Sequence, residues 1–158
     1  MIISVDPGIS GCLVAMSRSG EILAHMQMPT IKVSTKNRVN GAAVAAWIEG
    51  LRKDGHLIEH AYIELVGSMP KESVASGFSF GHSVGTVEGV VIGAMIPYTR
   101  VQPGAWKKSA KLVGKDKDAA RSRCVQLYPG LRDLDLKGKG QAVSDAILIG
   151  RHGLGLEN

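Results

Sequence analysis

The 158-residue chain has only two cysteines, Cys12 and Cys124, and no Cys-x-x-Cys pair. That argues against a zinc site built on thiolates. Cys12 lies in the apolar run CLVAM and Cys124 in a segment of helical character, so both read as buried, reduced thiols rather than a disulfide. Apolar runs are short, and none reaches the roughly 18 residues of a membrane-spanning candidate. The N-terminus shows no basic stretch followed by an apolar core and a cleavage site. A cytoplasmic protein with no membrane association is therefore expected. The combination of low hydrophobicity and high charge that marks a disordered chain is also absent. Hydrophobic residues make up 44% of the chain and charged ones 21%, enough to bury a core. No composition shift divides the sequence, so one domain over residues 1–158 is expected.

Acidic residues are in the minority. Lys and Arg number 19 against 14 Asp and Glu, a formal charge of +5. An excess of cations favours a polyanionic partner, because each one placed at a phosphate releases condensed counterions. The same excess also serves plain solubility.

Residues 2–5 are apolar and β-branched and end at Asp6-Pro7-Gly8, which is turn chemistry. Runs 12–16 and 22–28 follow after short turns, and the three together predict an antiparallel meander. Residues 30–40 are polar and basic, with Lys32, Lys36 and Arg38, and read as a loop. Ala43, Ala46, Trp47 and Leu51 then recur at helical spacing within 42–52. A fourth strand is expected over 60–66, a helix over 74–95, and a fifth strand over 98–101. A short helix opened by Pro103 follows, then a basic loop over 109–118, a helix over 117–128, a polar loop to Gly140, and a last helix opening at Val143. The order βββ-α-β-α-β-α-α is that of an α/β, ribonuclease-H-like fold: a mixed five-stranded sheet with helices on both faces.

In the 74–95 segment glycines stand at 77, 81, 85, 89 and 93, every fourth residue. Each costs about 1 kcal/mol relative to alanine in a helix interior, so close approach by another backbone is the expected compensation. Two partners are open: the chain's own sheet, or a second copy in a homodimer. A membrane reading of this small-residue spacing fails on Glu88, His82 and the serines.

Three acids sit where acids are costly. Asp6 ends a buried strand, Glu64 stands between Ile63 and Leu65 in another, and Asp145 lies at the start of an apolar helix. Each must be paired or hold a metal to offset its desolvation. If the first and fourth strands are neighbours, Asp6 and Glu64 converge at one end of the sheet and the last helix brings Asp145 beside them. Carboxylates that close repel unless Mg²⁺ or Mn²⁺ offsets the charge. Taken singly each has a plainer reading: a turn, an edge residue facing water, and a helix cap.

The motifs Asp6-Pro7-Gly8-x-x-Gly11, Glu64 followed by Ser68-Met69-Pro70, Phe80-Gly81-x-Ser83-x-Gly85, Pro103-x-x-Trp106-Lys107-Lys108, Lys115-Asp116-Lys117 and Asp145-Ala146 occur in this order. Together they resemble the RuvC-type Holliday junction resolvases of phages and bacteria, over residues 2–153. The resemblance implies a homodimeric crossover junction endodeoxyribonuclease that cuts opposed strands of a four-way DNA junction in recombination, repair or phage DNA processing. It implies Asp6, Glu64 and Asp145 as metal-binding acids, with two Mg²⁺ or Mn²⁺ ions in an intact site, and Lys107 and Lys117 as catalytic lysines near the scissile phosphate. Lys107, Lys108, Lys111, Lys115 and Lys117 would contact DNA. Phe78 and Phe80 stand where the family uses an aromatic near the junction core; stacking on a base and burial within the fold are both open.

One position departs from the pattern. The family's fourth ligand, three residues before the last acid in bacterial members, falls on Ala142, and residues 140, 141, 143 and 144 offer no acid. Three accounts are open: an inactivating substitution, a divergent or inactive member, or replacement by His152, Asp133 or Asp135. A branched-DNA binding protein with a crippled metal site, or a looser flap and fork nuclease, are the alternative functions. The Asp6–Gly11 segment also resembles a phosphate loop of actin-like ATPases, but those need two such lobes and this chain has one.

Overall fold

The computed structural model describes residues 1–65, 67, 73–116 and 118–156. Among these residues seven strands and five α-helices follow in the order β1 (Ile2–Asp6), β2 (Cys12–Met16), β3 (Ile22–Gln27), β4 (Thr30–Val33), β5 (Lys36–Val39), α1 (Gly41–Lys53), β6 (His60–Glu64), α2 (Val74–Gly93), β7 (Tyr98–Val101), α3 (Pro103–Ser109), α4 (Ala119–Leu127) and α5 (Lys137–Gly153), with a 3₁₀ turn at Arg132–Asp135. The main sheet runs β3-β2-β1-β6-β7. The β1–β2 and β2–β3 pairs are antiparallel, and β1–β6 and β6–β7 are parallel. This is the mixed five-stranded sheet the sequence predicts.

Period-two alternation splits the core between two faces. Ile3, Val5, Ala61 and Ile63 pack under α1 and α2, together with Val44, Ile48, Val87 and Val91. Ile2, Val14 and Met16 face the other way, against α5 and α4 through Val143, Ile147 and Cys124. The buried face of α1 is Val44, Ile48 and Leu51; of the residues named from the sequence Leu51 is buried and Trp47 packs against the same core, while Ala43 is half-buried and Ala46 exposed. Asn40 caps this helix by accepting from the Ala43 amide at 3.1 Å. Cys12 and Cys124 are free and buried, each thiol pushed up to about 12 chiefly by burial. Among the described residues no helix is long and apolar enough to cross a membrane.

Three expectations are corrected. Residues 30–40 form a hairpin, not a loop: β4 and β5 pair from Thr30↔Val39 to Val33↔Lys36, with Ser34 at φ 56° in the turn. Ile31, Val33 and Val39 supplied the alternation that its lysines obscured. The fourth helix opens at Ala119, two residues after the expected Lys117. The last helix begins at Lys137, six residues before Val143, because Gly138 and Gly140 masked its first turns. Gly140 is required there: a Cβ would lie 2.8 Å from the Leu134 carbonyl oxygen.

The glycine stripe does not pack on the chain's own sheet. A Cβ built on Gly81, Gly85, Gly89 or Gly93 meets nothing within 4 Å. The opposite face of α2 does the internal packing, through Ser83, Val87 and Val91 and through Glu88, which accepts from Arg100 Nε and Nη2 at 2.6 and 2.7 Å.

Candidate active site

The carboxylates meet through strand register and side-chain parity. Val5 pairs with Ile63 on parallel β1 and β6, so Asp6 and Glu64 stand side by side at the carboxyl ends of the two strands. Both belong to the alternation that faces α5. Ser4, two residues before Asp6, packs on that helix so closely that a Cβ on Gly150 would lie 2.7 Å from its Oγ. Asp145 lies in the third turn of α5, not at its start. Helix capping therefore does not explain it.

Gly11 closes the loop after Asp6. Its amide donates to the Gly8 carbonyl at 2.9 Å, and a Cβ there would fall 2.1 Å from the Asp6 carbonyl oxygen. The second glycine of the Asp-Pro-Gly-x-x-Gly motif is thus a steric requirement of the turn that aims Asp6. Phe80 reaches the same turn, its ring edge 3.6 Å from where a Gly8 Cβ would stand.

All three acids are half-buried, and each carboxyl is held above its ordinary range. For Asp6 burial outweighs a hydrogen bond from the Gly8 amide. For Glu64 burial comes first, opposed by Trp106 and reinforced by the charge of Asp6. Asp145 is pushed up to about 7, by burial first and then by Asp6 and Glu64, against the pull of Gln141 and Lys107. The acids therefore feel one another's charge. As the side chains stand, among the described residues no three of His, Cys, Asp and Glu are gathered closely enough to hold one ion. Each acid is tied to its own donor instead: Asp6 to Gly8, Glu64 Oε1 to the Trp106 indole N–H at 2.8 Å, and Asp145 Oδ1 to Gln141 Nε2 at 2.9 Å. Repulsion between uncompensated carboxylates accounts for that spacing. In kind the donors fit a hard divalent cation: all are oxygens, partly desolvated, with the side-chain oxygen Oε1 of Gln141 buried beside them and lacking a hydrogen-bond partner.

A cleft of about 550 Å³ opens beside Asp145, lined by Trp106, Lys107, Lys115, Asp116 and Gln141 among others. A second groove, of about 640 Å³, joins Asp6 and Asp145 along Ser10, Gln27 and Lys139. Lys107 is exposed, stands 5.2 Å from the Trp106 ring centroid, and acts electrostatically on Glu64 and Asp145. Lys108, also exposed, lines neither cleft. Lys111 turns to a separate groove with Arg123. Lys117 and the Ser68-Met69-Pro70 motif lie outside the described residues. Phe78 is exposed while Phe80 is half-buried, so the two aromatics have different surroundings.

The substitutes for a fourth acid are engaged elsewhere. Asp133 pairs with His25 at 3.2 Å and Asp135 with Arg132 at 3.8 Å. His152 Nδ1 is 3.2 Å from Ser109 Oγ. Ala142 is buried and offers only a methyl group.

Neither a family model nor a curated protein matches the chain in sequence. Solved structures do match it. Thermus thermophilus RuvC in complex with a Holliday junction substrate aligns with a TM-score of 0.58 at 17% identity, over 96% of this chain and 90% of that one. A further Thermus thermophilus RuvC structure aligns with a TM-score of 0.52 at 17% identity, over 96% of each chain. The chain has the RuvC fold, and with it the ribonuclease-H-like architecture.

Within that RuvC fold three features escaped the sequence reading. The Trp106 indole serves Glu64 as a donor, a role its place in the motif does not reveal. Gln141 holds Asp145 one helical turn later, and the i, i+4 spacing of Gln and Asp on one helix was the available signal. The β4–β5 hairpin carries Lys32, Lys36 and Arg38 and no acid. Arg38 lies over the Phe78 ring at 5.7 Å and donates to Ser79 Oγ at 3.1 Å. The hairpin is thus joined to the segment that carries Phe80 toward Asp6.

Proposed function

We propose that the chain is a structure-selective endonuclease that resolves four-way DNA junctions by metal-dependent phosphodiester hydrolysis. The observation that carries this reading is the convergence of Asp6, Glu64 and Asp145 on the α5 face of β1 and β6, beside an open cleft with Lys107 at its wall. It is supported by a fold shared with a RuvC captured on a Holliday junction substrate. Asp6, Glu64 and Asp145 would hold Mg²⁺ or Mn²⁺, and a pair of such ions, when bound, supplies positive charge at the attacking water and at the leaving oxygen. Lys107 adds charge where the phosphate becomes more anionic, with Lys117 in the same role. Lys115 extends the cleft wall, and Lys108 and Lys111 contact the DNA arms through their phosphates. Phe80 would flank the turn that carries Asp6, and Phe78, exposed beside Arg38, would stack on an unpaired base.

Two copies are needed to cut two opposed strands. The open face of the α2 glycines, with exposed Ile92 on the same helix, is the surface on which a homodimer would close. The hairpin cations would then track an incoming arm.

A second reading rests on Ala142: a branched-DNA binding protein whose ion site is incomplete. A nicking assay separates the two. The chain and its Ala142→Asp variant are incubated with a four-way junction and a matched linear duplex, in Mg²⁺ and in Mn²⁺. Junction cleavage far exceeding duplex cleavage is the expected outcome. Equal cutting of both substrates refutes junction resolution, and a flap and fork panel then defines the looser nuclease. Binding without cleavage by either protein selects the second reading.

A further inference from the structure

We propose that Gln141 is a metal ligand of this site, binding through its side-chain amide oxygen where Ala142 has nothing to offer. The inference rests on the nuclease reading above for the presence of an ion, but its argument is local. Gln141 lines both grooves that meet at Asp145. Its Nε2 donates to Asp145 Oδ1 at 2.9 Å, while its Oε1 is buried with no hydrogen-bond partner. Half a turn about the last side-chain bond exchanges the two ends of the amide, which have nearly the same shape.

After that turn Oε1 stands where Nε2 is now, about as far from Asp145 Oδ1. Two acceptors at that separation repel each other unless a cation lies between them. Adjacent ligands of an octahedral ion with bonds of about 2.1 Å are themselves about 3.0 Å apart. The spacing of Gln141 and Asp145, an ordinary hydrogen-bond length, also suits neighbouring ligands on one small divalent ion. In the ion's absence the amide N–H donor takes its place and holds the carboxylate. Glutamine brings no charge, so the site carries one negative charge fewer than a four-acid set, and its ions are held more weakly. A neutral amide oxygen one position before Ala142 also explains how the chain tolerates a methyl group there.

The test is Mn²⁺ binding to the full chain, followed by the electron paramagnetic resonance signal of free Mn²⁺, for the wild-type protein, Gln141→Ala and Gln141→Glu, with folding checked by circular dichroism. A ligand role predicts weaker binding in Gln141→Ala, by about 10-fold or more, and tighter binding than wild type in Gln141→Glu. A role limited to donating an N–H to Asp145 also weakens Gln141→Ala, by the roughly 10–100-fold typical of outer-shell partners, so the number of bound waters decides between the two roles; weaker binding in Gln141→Glu overturns the proposal. Unchanged affinity in Gln141→Ala overturns it as well, while leaving the nuclease reading intact. A wild-type chain that binds no Mn²⁺ brings down both. Tb³⁺ luminescence lifetimes in H₂O and D₂O give a readout independent of affinity: Gln141→Ala is expected to show one more bound water than wild type, and an equal number counts against the amide ligand.

Discussion

Replacing Trp106 with phenylalanine separates the two tasks of that side chain. Trp106 is 2% exposed, and its indole N–H donates to Glu64 Oε1 at 2.8 Å. Phenylalanine keeps most of the apolar contact and removes the donor. The packing loss of a smaller ring, about 1–3 kcal/mol, does not depend on pH. The hydrogen-bond loss does. To an ionised acceptor such a bond is worth about 1.5–3 kcal/mol, and to a neutral one about 0.5–1.5 kcal/mol. Glu64 is held above its ordinary value by burial while Trp106 pulls it down. Removing the indole therefore raises it further. A group whose folded pKa is raised costs stability as pH climbs, because the unfolded chain has already released that proton. Urea unfolding of metal-free protein is expected to show Trp106→Phe losing about 1 kcal/mol more at about pH 8, where the carboxylate is ionised, than at about pH 4.5. Equal losses at both pH values would refute the assignment of the indole as support for the Glu64 carboxylate.

Further outcomes follow from the same structure. Asp145, pushed up to about 7 in the folded chain, keeps a proton that the unfolded chain loses near its ordinary value; metal-free stability should fall by about 2–4 kcal/mol between about pH 4 and pH 7 and then level off. Asp145→Asn should flatten that fall in urea titrations, and an unaltered slope would remove Asp145 as its source. Replacing Lys32, Lys36 and Arg38 together by alanine should reduce the salt dependence of junction binding by roughly 2–3 in log–log slope, at about 0.9 per phosphate contact; an unchanged slope would show that the hairpin does not touch DNA. At Gly85, where an added Cβ meets nothing within 4 Å, alanine should raise the stability of the folded monomer by up to about 1 kcal/mol. If a homodimer closes on this face, Gly85→Leu should shift sedimentation from dimer to monomer; a wild-type chain that sediments as a monomer, or a variant dimer that persists, would refute that interface.

What the sequence determined by itself was element type and order. The apolar run 2–5 and the strand expected over 60–66 already placed Asp6 at the end of one strand and Glu64 inside another. The turn chemistry at Pro7-Gly8 marked where Asp6 would stop, whereas the apolar run from Val143 set Asp145 at a helix start instead of in the third turn of α5. Those signals are local, with a period of two in strands and about 3.6 in helices, so they survive without knowledge of neighbours. Element ends were less legible. Gly138 and Gly140 read as loop, yet they lie in α5, because the packing of Gly140 against the Leu134 carbonyl outweighs its low helix propensity. Lys36 and Arg38 likewise hid a strand that gains its stability from pairing with 30–33.

Only the tertiary structure decided what each acid meets. The register Val5↔Ile63 sets Asp6 beside Glu64, and no local pattern fixes which strands are neighbours. It also decided that Trp106 supports Glu64, that the glycine stripe faces outward, and that Asp133, Asp135 and His152 are engaged away from the three acids. The reason is physical: burial, charge coupling and unsatisfied hydrogen bonds are properties of groups brought together from distant parts of the chain. Their energies depend on separations that composition and spacing do not contain.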